Sequence, residues 1–256
     1  MSRSAPLVLV HGNPETAAIW NPFLRLLGRD DVVTLSPPGF GAPVPPSFDP
    51  SVQAYREWLA ARLAVFSRPV DLVGHDWGGV HVAQVAMHHP HLIRSWASDA
   101  LGVLAPGFVW HSMARIWQTP EAGEESVRQL FGGDLDRRRQ VVAGLGITGD
   151  AGEAVAAAIG PEMGRAVLSL LRSAAQPAMS RFGEDLGKAR AAPGLALIAA
   201  EDTDRSNGTP EQHRWAAERA GAQAVVLDGA PHWWPSENPG PAAEALTRFW
   251  RTLEDQ

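Results

Sequence analysis

Gly74-His75-Asp76-Trp77-Gly78-Gly79 is the stretch whose residue types and spacing carry chemistry most plainly. An apolar run, Val70–Val73, leads into it, and a helical pattern follows from Val80. Small residues two before and two after Asp76 permit a very tight strand-to-helix turn, which holds the middle side chain strained and exposed. A side chain presented in that way can act as a nucleophile, and here it is a carboxylate. The same stretch also fits a turn whose Asp only caps the following helix. A carboxylate gains little by attacking ordinary esters, because the intermediate is an anhydride. It suits attack at a saturated carbon, giving an alkyl ester that water then hydrolyses. Hydrolysis needs a base to activate that water and a second acid to hold the base in the right tautomer.

The elements that must position such groups are legible as an alternation. Leu7–Val10, Val32–Leu35, Val70–Val73, Ile93–Ala97, Leu195–Ala200 and Ala224–Leu227 are short, apolar on both faces and bounded by turn residues, as buried strands are. Helical patterns lie near 17–28, 52–66, 78–88, 209–220 and 241–253. The alternation predicts an α/β fold with a mostly parallel sheet flanked by helices, and functional residues at the carboxyl ends of the strands. Residues 104–190 break the rhythm. They are helix-like throughout and punctuated by Gly132-Gly133, Gly146, Gly149, Gly152 and Gly160-Pro161. The expected division is a core of 1–103 and 191–256 with a helical lid, 104–190, over the sheet's carboxyl edge.

Bulk composition narrows the function classes. The 256 residues are 45% hydrophobic and 20% charged, ordinary for a globular chain with a sizeable core. A net charge of -6 argues against a nucleic-acid or anionic-membrane partner. No stretch approaches a transmembrane helix in length, and the start has neither an apolar signal region nor a cleavage site, so the expected location is cytoplasmic. With no cysteine, disulfides, cysteine nucleophiles and thiolate metal sites are excluded.

Three further segments carry a resemblance. His11-Gly12-Asn13-Pro14-Glu15 ends the first strand, Ser36-Pro37-Pro38-Gly39-Phe40-Gly41 follows the second, and Asp228-Gly229-Ala230-Pro231-His232-Trp233-Trp234 follows the last. With the Gly-x-Asp-x-Gly-Gly turn, they resemble the α/β-hydrolases in the order nucleophile, acid, histidine. The resemblance covers nearly the whole chain, and it is closest to the haloalkane dehalogenases and epoxide hydrolases, which use an Asp nucleophile. Ser36 stands where the family usually has Asp. The N-terminal strands that usually precede His-Gly-x-Pro are missing, since only six residues precede Leu7. That leaves an edge at Val32–Leu35 open to a partner subunit, so the expected state is a monomer or a homodimer.

The resemblance implies His232 as the base and Asp202, in Leu195–Asp202, as the acid orienting it. Asp99 and then Asp204 stand behind Asp202 as alternatives, because some dehalogenases of this fold draw the acid from the end of the earlier strand. Of the other eight histidines, His11 is implied to tie the oxyanion loop together, and His75 is expected to be packed away from the nucleophile. His88, His89 and His91 lie in a helix-to-strand connection and receive no chemistry.

The leaving group separates the two activities. A halide needs hydrogen-bond donors, which haloalkane dehalogenases supply from the Asn of His-Gly-Asn-Pro and the Trp after the nucleophile. Here these are Asn13 and Trp77, whose amide and indole N–H groups can converge on one anion. An epoxide leaves as a basic alkoxide and takes a proton, which epoxide hydrolases supply from lid tyrosines. The only tyrosine of this chain is Tyr55, before the lid, and Leu171-Arg172 stands where those enzymes often have Tyr-Arg. Losing such an acid costs about 10²–10⁴ in rate. Trp110, His111 and Trp117 are the available substitutes, and packing against the sheet's rim is the competing reading for the tryptophans. Fluoroacetate dehalogenases place Arg beside the nucleophile, where this chain has Trp77 and Val80-His81; Arg165 and Arg172 in the lid are the remaining anion candidates. Some relatives act instead as ligand receptors, cyclases or isomerases. The sequence therefore predicts halide displacement from a small apolar substrate by Asp76, with Asn13 and Trp77 holding the anion, and neither metal nor organic cofactor. Epoxide hydrolysis is the alternative, and a biosynthetic or ligand-binding role stands behind both.

Overall fold

The computed structural model describes residues 5–202 and 206–255. Six strands, β1 (Leu7–Val10), β2 (Val32–Leu35), β3 (Val70–Gly74), β4 (Ile93–Ser98), β5 (Gly194–Ala199) and β6 (Gln223–Leu227), form one sheet in the order β2-β1-β3-β4-β5-β6. Every neighbouring pair is parallel. Parallel strands require crossovers, which the helices α1 (Asn21–Leu27), α2 (Val52–Leu63) and α3 (Trp77–His88) provide in the first half. Between β4 and β5 run α4 (Ser112–Gln118), α5 (Ala122–Phe131), α6 (Leu135–Gly144), α7 (Gly149–Ala158), α8 (Pro161–Ser173) and α9 (Ala178–Glu184). The chain closes with α10 (Pro210–Ala220), the short α11 (Trp234–Glu237) and α12 (Gly240–Glu254).

The period-2 alternation of a strand divides the core in two. In β1, Val8 and Val10 face the layer of α2, α3 and the inserted helices, while Leu7 and Leu9 face that of α1 and α12. Both faces of β1 and β3 are covered, which explains why those strands are apolar throughout. β2 pairs with β1 alone and keeps Val33 exposed, so it is the outer edge among the described residues.

Two expected elements differ in detail. The helix near 17–28 is broken: a 3-10 turn, Ala17–Trp20, precedes α1, because Pro22 has no N–H for an interior helical bond and fits only in a first turn. β5 starts and ends one residue before the expected Leu195–Ala200. It begins at Gly194, where a Cβ would stand 2.3 Å from the Trp96 ring. No single helix among the described residues is long and apolar enough to cross a membrane.

The strand order places the site. The chain leaves β1 for β2 on one side and returns to β3 on the other, so the carboxyl ends of β1 and β3 flank a topological switch point. Ligands bind in such crevices in open α/β sheets. Asn13 follows β1 and Asp76 follows β3.

Candidate active site

Asp76 sits at φ 51°, ψ -125°, a conformation that few residues with a side chain adopt. The glycines around it are demanded by close approach. A Cβ on Gly74 would lie 2.3 Å from the Gly78 carbonyl oxygen, and one on Gly78 would lie 2.1 Å from that of Val10. A Cβ on Gly12 would run into the Asp76 carboxylate itself. The strained turn is held from behind, where the Asp76 backbone N–H donates to Asp99 Oδ1 at 2.8 Å. In front, the Asn13 backbone N–H donates to Asp76 Oδ1 at 3.0 Å. Trp77 opens α3, so its N–H is among those a helix leaves unpaired internally.

His232 Nε2 lies 3.8 Å from Asp76 Oδ2, and His232 Nδ1 lies 3.3 Å from Asp202 Oδ2. A carboxylate only accepts, so Nδ1 carries the proton, and in neutral His232 the Nε2 lone pair faces Asp76. Burial disfavours the imidazolium, but the hydrogen bond to Asp202 and the Asp76 charge outweigh it and hold His232 above its ordinary value. Burial likewise opposes the charged Asp202, and the His232 contacts overcome it and lower its pKa.

Of the alternative acids, Asp99 is engaged elsewhere. Its Oδ2 lies 2.5 Å from His75 Nδ1 and accepts the Trp234 indole N–H at 2.7 Å. The reason is topological: β4 lies beside β3, so the end of β4 meets the residues around the elbow, whereas the loop after β5 meets the loop after β6. Asp204 lies outside the described residues. His75 is buried, as expected, but it is an ionic centre as well as a packed ring, with Nε2 3.4 Å from the buried Glu15. The sequence carries a signal for this cluster, Glu15 after Pro14 and His75 before Asp76, but neither position by itself marks the residue as part of an ionic group. His11 behaves as implied. Its Nδ1 donates to the Gly12 carbonyl at 2.9 Å, and its Nε2 meets the Ser36 hydroxyl at 3.0 Å. Burial lowers it to about 4, which keeps it neutral.

The cluster beneath the elbow has a pH signature. Burial pushes Glu15 up to about 8. Burial also opposes charge on His75, yet Asp99 and Glu15 outweigh it and raise His75 to about 10. The native fold thus holds protons that the unfolded chain, with ordinary values of 4.5 and 6.5, gives up. The Glu15 contribution to stability is complete below 4.5 and lost as pH rises through about 8; that of His75 is complete below 6.5 and lost through about 10. Urea midpoints should therefore fall between pH 6.5 and pH 8, and Glu15→Gln should flatten that slope. An unchanged slope in the variant would mean that Glu15 is ionised in the native state.

Over Asp76 opens a cavity of about 750 Å³. Asn13, Trp77, Trp110, His111, Trp117 and Leu171 all line it, together with Asp76, Asp202 and His232. Asn13 is 7% exposed and its Nδ2 has no hydrogen-bond partner among the described residues. Trp110 stacks on Trp77, with centroids 5.7 Å apart, and donates its N–H to the Ala174 carbonyl; Trp117 donates its own to Ser126 Oγ. His111 Nδ1 accepts the Ala114 N–H at the start of α4. Tyr55 is buried away from this cavity, its hydroxyl donating to the Pro38 carbonyl. Neither Arg165 nor Arg172 reaches the cavity, and Arg172 is held by Glu124 at 2.8 Å. Trp233 and Glu237, which carry no mark of this in the sequence, also line it, and Trp233 donates its N–H to the carbonyl of Leu145, itself a lining residue. No group of three or more His, Asp or Glu among the described residues is arranged to hold a metal ion.

The sequence profile of the alpha/beta hydrolase family matches residues 7–245. The chain belongs to that family. Among solved structures, this hydrolase is similar to a loop variant of the haloalkane dehalogenase DbeA from Bradyrhizobium elkanii. The TM-score is 0.74 at 18% identity, over 100% of this chain and 92% of that one. It also resembles a Pseudomonas aeruginosa protein assigned as an epoxide hydrolase, with TM-score 0.71, 18% identity and coverage of 99% and 90%. A third is E-2-(acetamidomethylene)succinate hydrolase, with TM-score 0.70, 18% identity and coverage of 97% and 92%. At these identities the likeness is one of fold.

Proposed function

We propose that this hydrolase displaces halide from a saturated carbon with Asp76 and hydrolyses the resulting alkyl ester with a water activated by His232. Residues 104–190 then act as the lid, and the substrate is a small apolar haloalkane. The observation that carries this reading is the buried, unpartnered Asn13 Nδ2 on the wall of the cavity that holds Asp76 and Trp77. A buried donor without an acceptor costs about 1–3 kcal/mol, and a departing halide supplies the acceptor. In the second step the N–H groups of Asn13 and Trp77 stabilise the oxyanion, and Asp202 keeps the His232 tautomer correct.

Epoxide opening is disfavoured because the tyrosine and tryptophan donors are buried or occupied, which leaves His111 alone of the substitutes on the cavity wall. Both tryptophans offered as substitutes give their N–H to protein acceptors, and the one tyrosine is buried against Pro38. An α-haloacid is disfavoured too, since no Lys or Arg among the described residues lines the cavity.

Asn13→Ala separates these readings. Bromide release from a bromoalkane should slow by about a hundredfold, as for loss of one preorganised donor, while any epoxide opening changes little. Equal loss on both substrate types, measured as initial rates, would make Asn13 a structural residue.

A further inference from the structure

Behind the catalytic residues lies a second cavity of about 300 Å³. Asp202, Asn207 and His232 line this chamber and the larger one alike, so they form the partition between the two. The rear chamber is polar. His213, on α10, is 4% exposed, and its Nδ1 has no partner among the described residues. Asp99 and Asp202 also line the chamber. Burial lowers His213 to about 4, so it remains neutral and keeps its hydrogen-bonding capacity for an uncharged guest. Ala200, the residue after β5, lines the same chamber and is exposed to solvent. A space of this size with several polar partners suits a short file of water molecules.

We propose that the rear chamber is a solvent passage, delivering the hydrolytic water to His232 from behind, with His213 as the anchor of that water file. The inference rests on the carboxylate-nucleophile reading. In the first step Asp76 bonds to the substrate carbon and halide leaves with the bonding electrons. In the second, a water oxygen bonds to the Asp76 carboxyl carbon, the alcohol departs, the carboxylate is restored and one proton is released. Each turnover thus consumes one water while the alkyl group still occupies the front cavity. A separate entry lets water arrive without displacing that apolar group, and the same file carries the proton out.

The test is rapid-mixing kinetics of bromide release, with intact-protein mass, on His213→Phe and Ala200→Trp. The first removes the polar anchor at similar volume, and the second narrows the exposed end of the chamber. The expected result is that the ester still forms but its hydrolysis slows about tenfold, so a bromide burst and an alkyl adduct appear in both variants. If His213→Phe fails to fold, Ala200→Trp decides, because its side chain starts at the surface. Wild-type hydrolysis rates in the folded variants would overturn the proposal. So would a crystal structure of the wild-type protein with the chamber dry, whatever the substrate. If His232→Ala forms no ester with any haloalkane, the nucleophile reading falls and takes this role with it, whereas a stalled ester in His232→Ala beside wild-type hydrolysis rates in His213→Phe and Ala200→Trp overturns the water passage alone.

Discussion

Asp76→Asn is expected to cut bromoalkane turnover by at least about ten-thousandfold while leaving the fold intact. The amide has the shape of the carboxylate and can still accept the Asn13 N–H, which donates to Oδ1 in the wild type. It lacks the charge that makes the oxygen a nucleophile at saturated carbon. The other carboxylates on the cavity wall, Glu201, Asp202 and Glu237, lie outside the elbow, and Asp202 is engaged with His232. The oxyanion donors give no rescue either, since they act on an ester that never forms. Slow deamidation can return activity over time, so the quantity to measure is the initial rate, beside a thermal midpoint to show folding. Full initial activity in the variant would remove Asp76 from the chemistry.

His232→Ala is the second large effect, and it should divide the reaction. Alkylation of Asp76 needs no base, so one bromide per protein is released and the ester stalls. Steady-state turnover then falls by about 10²–10⁴, the usual worth of a positioned general base. The electrostatics of the wild-type site support this division. In the free enzyme the Asp76 charge, after the Asp202 hydrogen bond, helps to hold His232 above its ordinary pKa against burial. Ester formation removes that charge, so His232 loses a proton more readily once the substrate is attached. The base is thereby released at the step that needs it. Single-turnover hydrolysis should accordingly stay fast at a lower pH than that at which His232 titrates in the free protein.

Much of this arrangement was legible in the residues, and the rest was hidden for identifiable reasons. All six strands stand within a residue of their expected bounds, because apolar runs between Gly, Pro and Asp have few alternatives in an α/β chain. The edge strands β2 and β6, however, are partly or largely exposed rather than buried on both faces, since each has a neighbour on one side only. The elbow was legible because only small residues tolerate contacts as close as those at Gly74 and Gly78. The choice between Asp202 and Asp99 was not. Both follow strands, and strand order in the sheet decides which of them meets the loop after β6. Asp99 instead anchors His75, Trp234 and the elbow's own N–H. His213 was invisible for a different reason. A histidine on a helix carries no mark of the cavity it will face, and this one is set by the packing of α10 against the end of β5. The break before α1 could have been found from Pro22 alone.

The central claim is that Asp76 forms a covalent alkyl ester, and it is tested most directly by intact-protein mass. His232→Ala is mixed with a panel of bromoalkanes and, separately, with terminal epoxides. The expected result is an added alkyl mass from the bromides, located on Asp76. A hydroxyalkyl adduct from the epoxides alone would contradict halide displacement and return attention to His111 on the cavity wall. No adduct from either panel would contradict the carboxylate nucleophile itself.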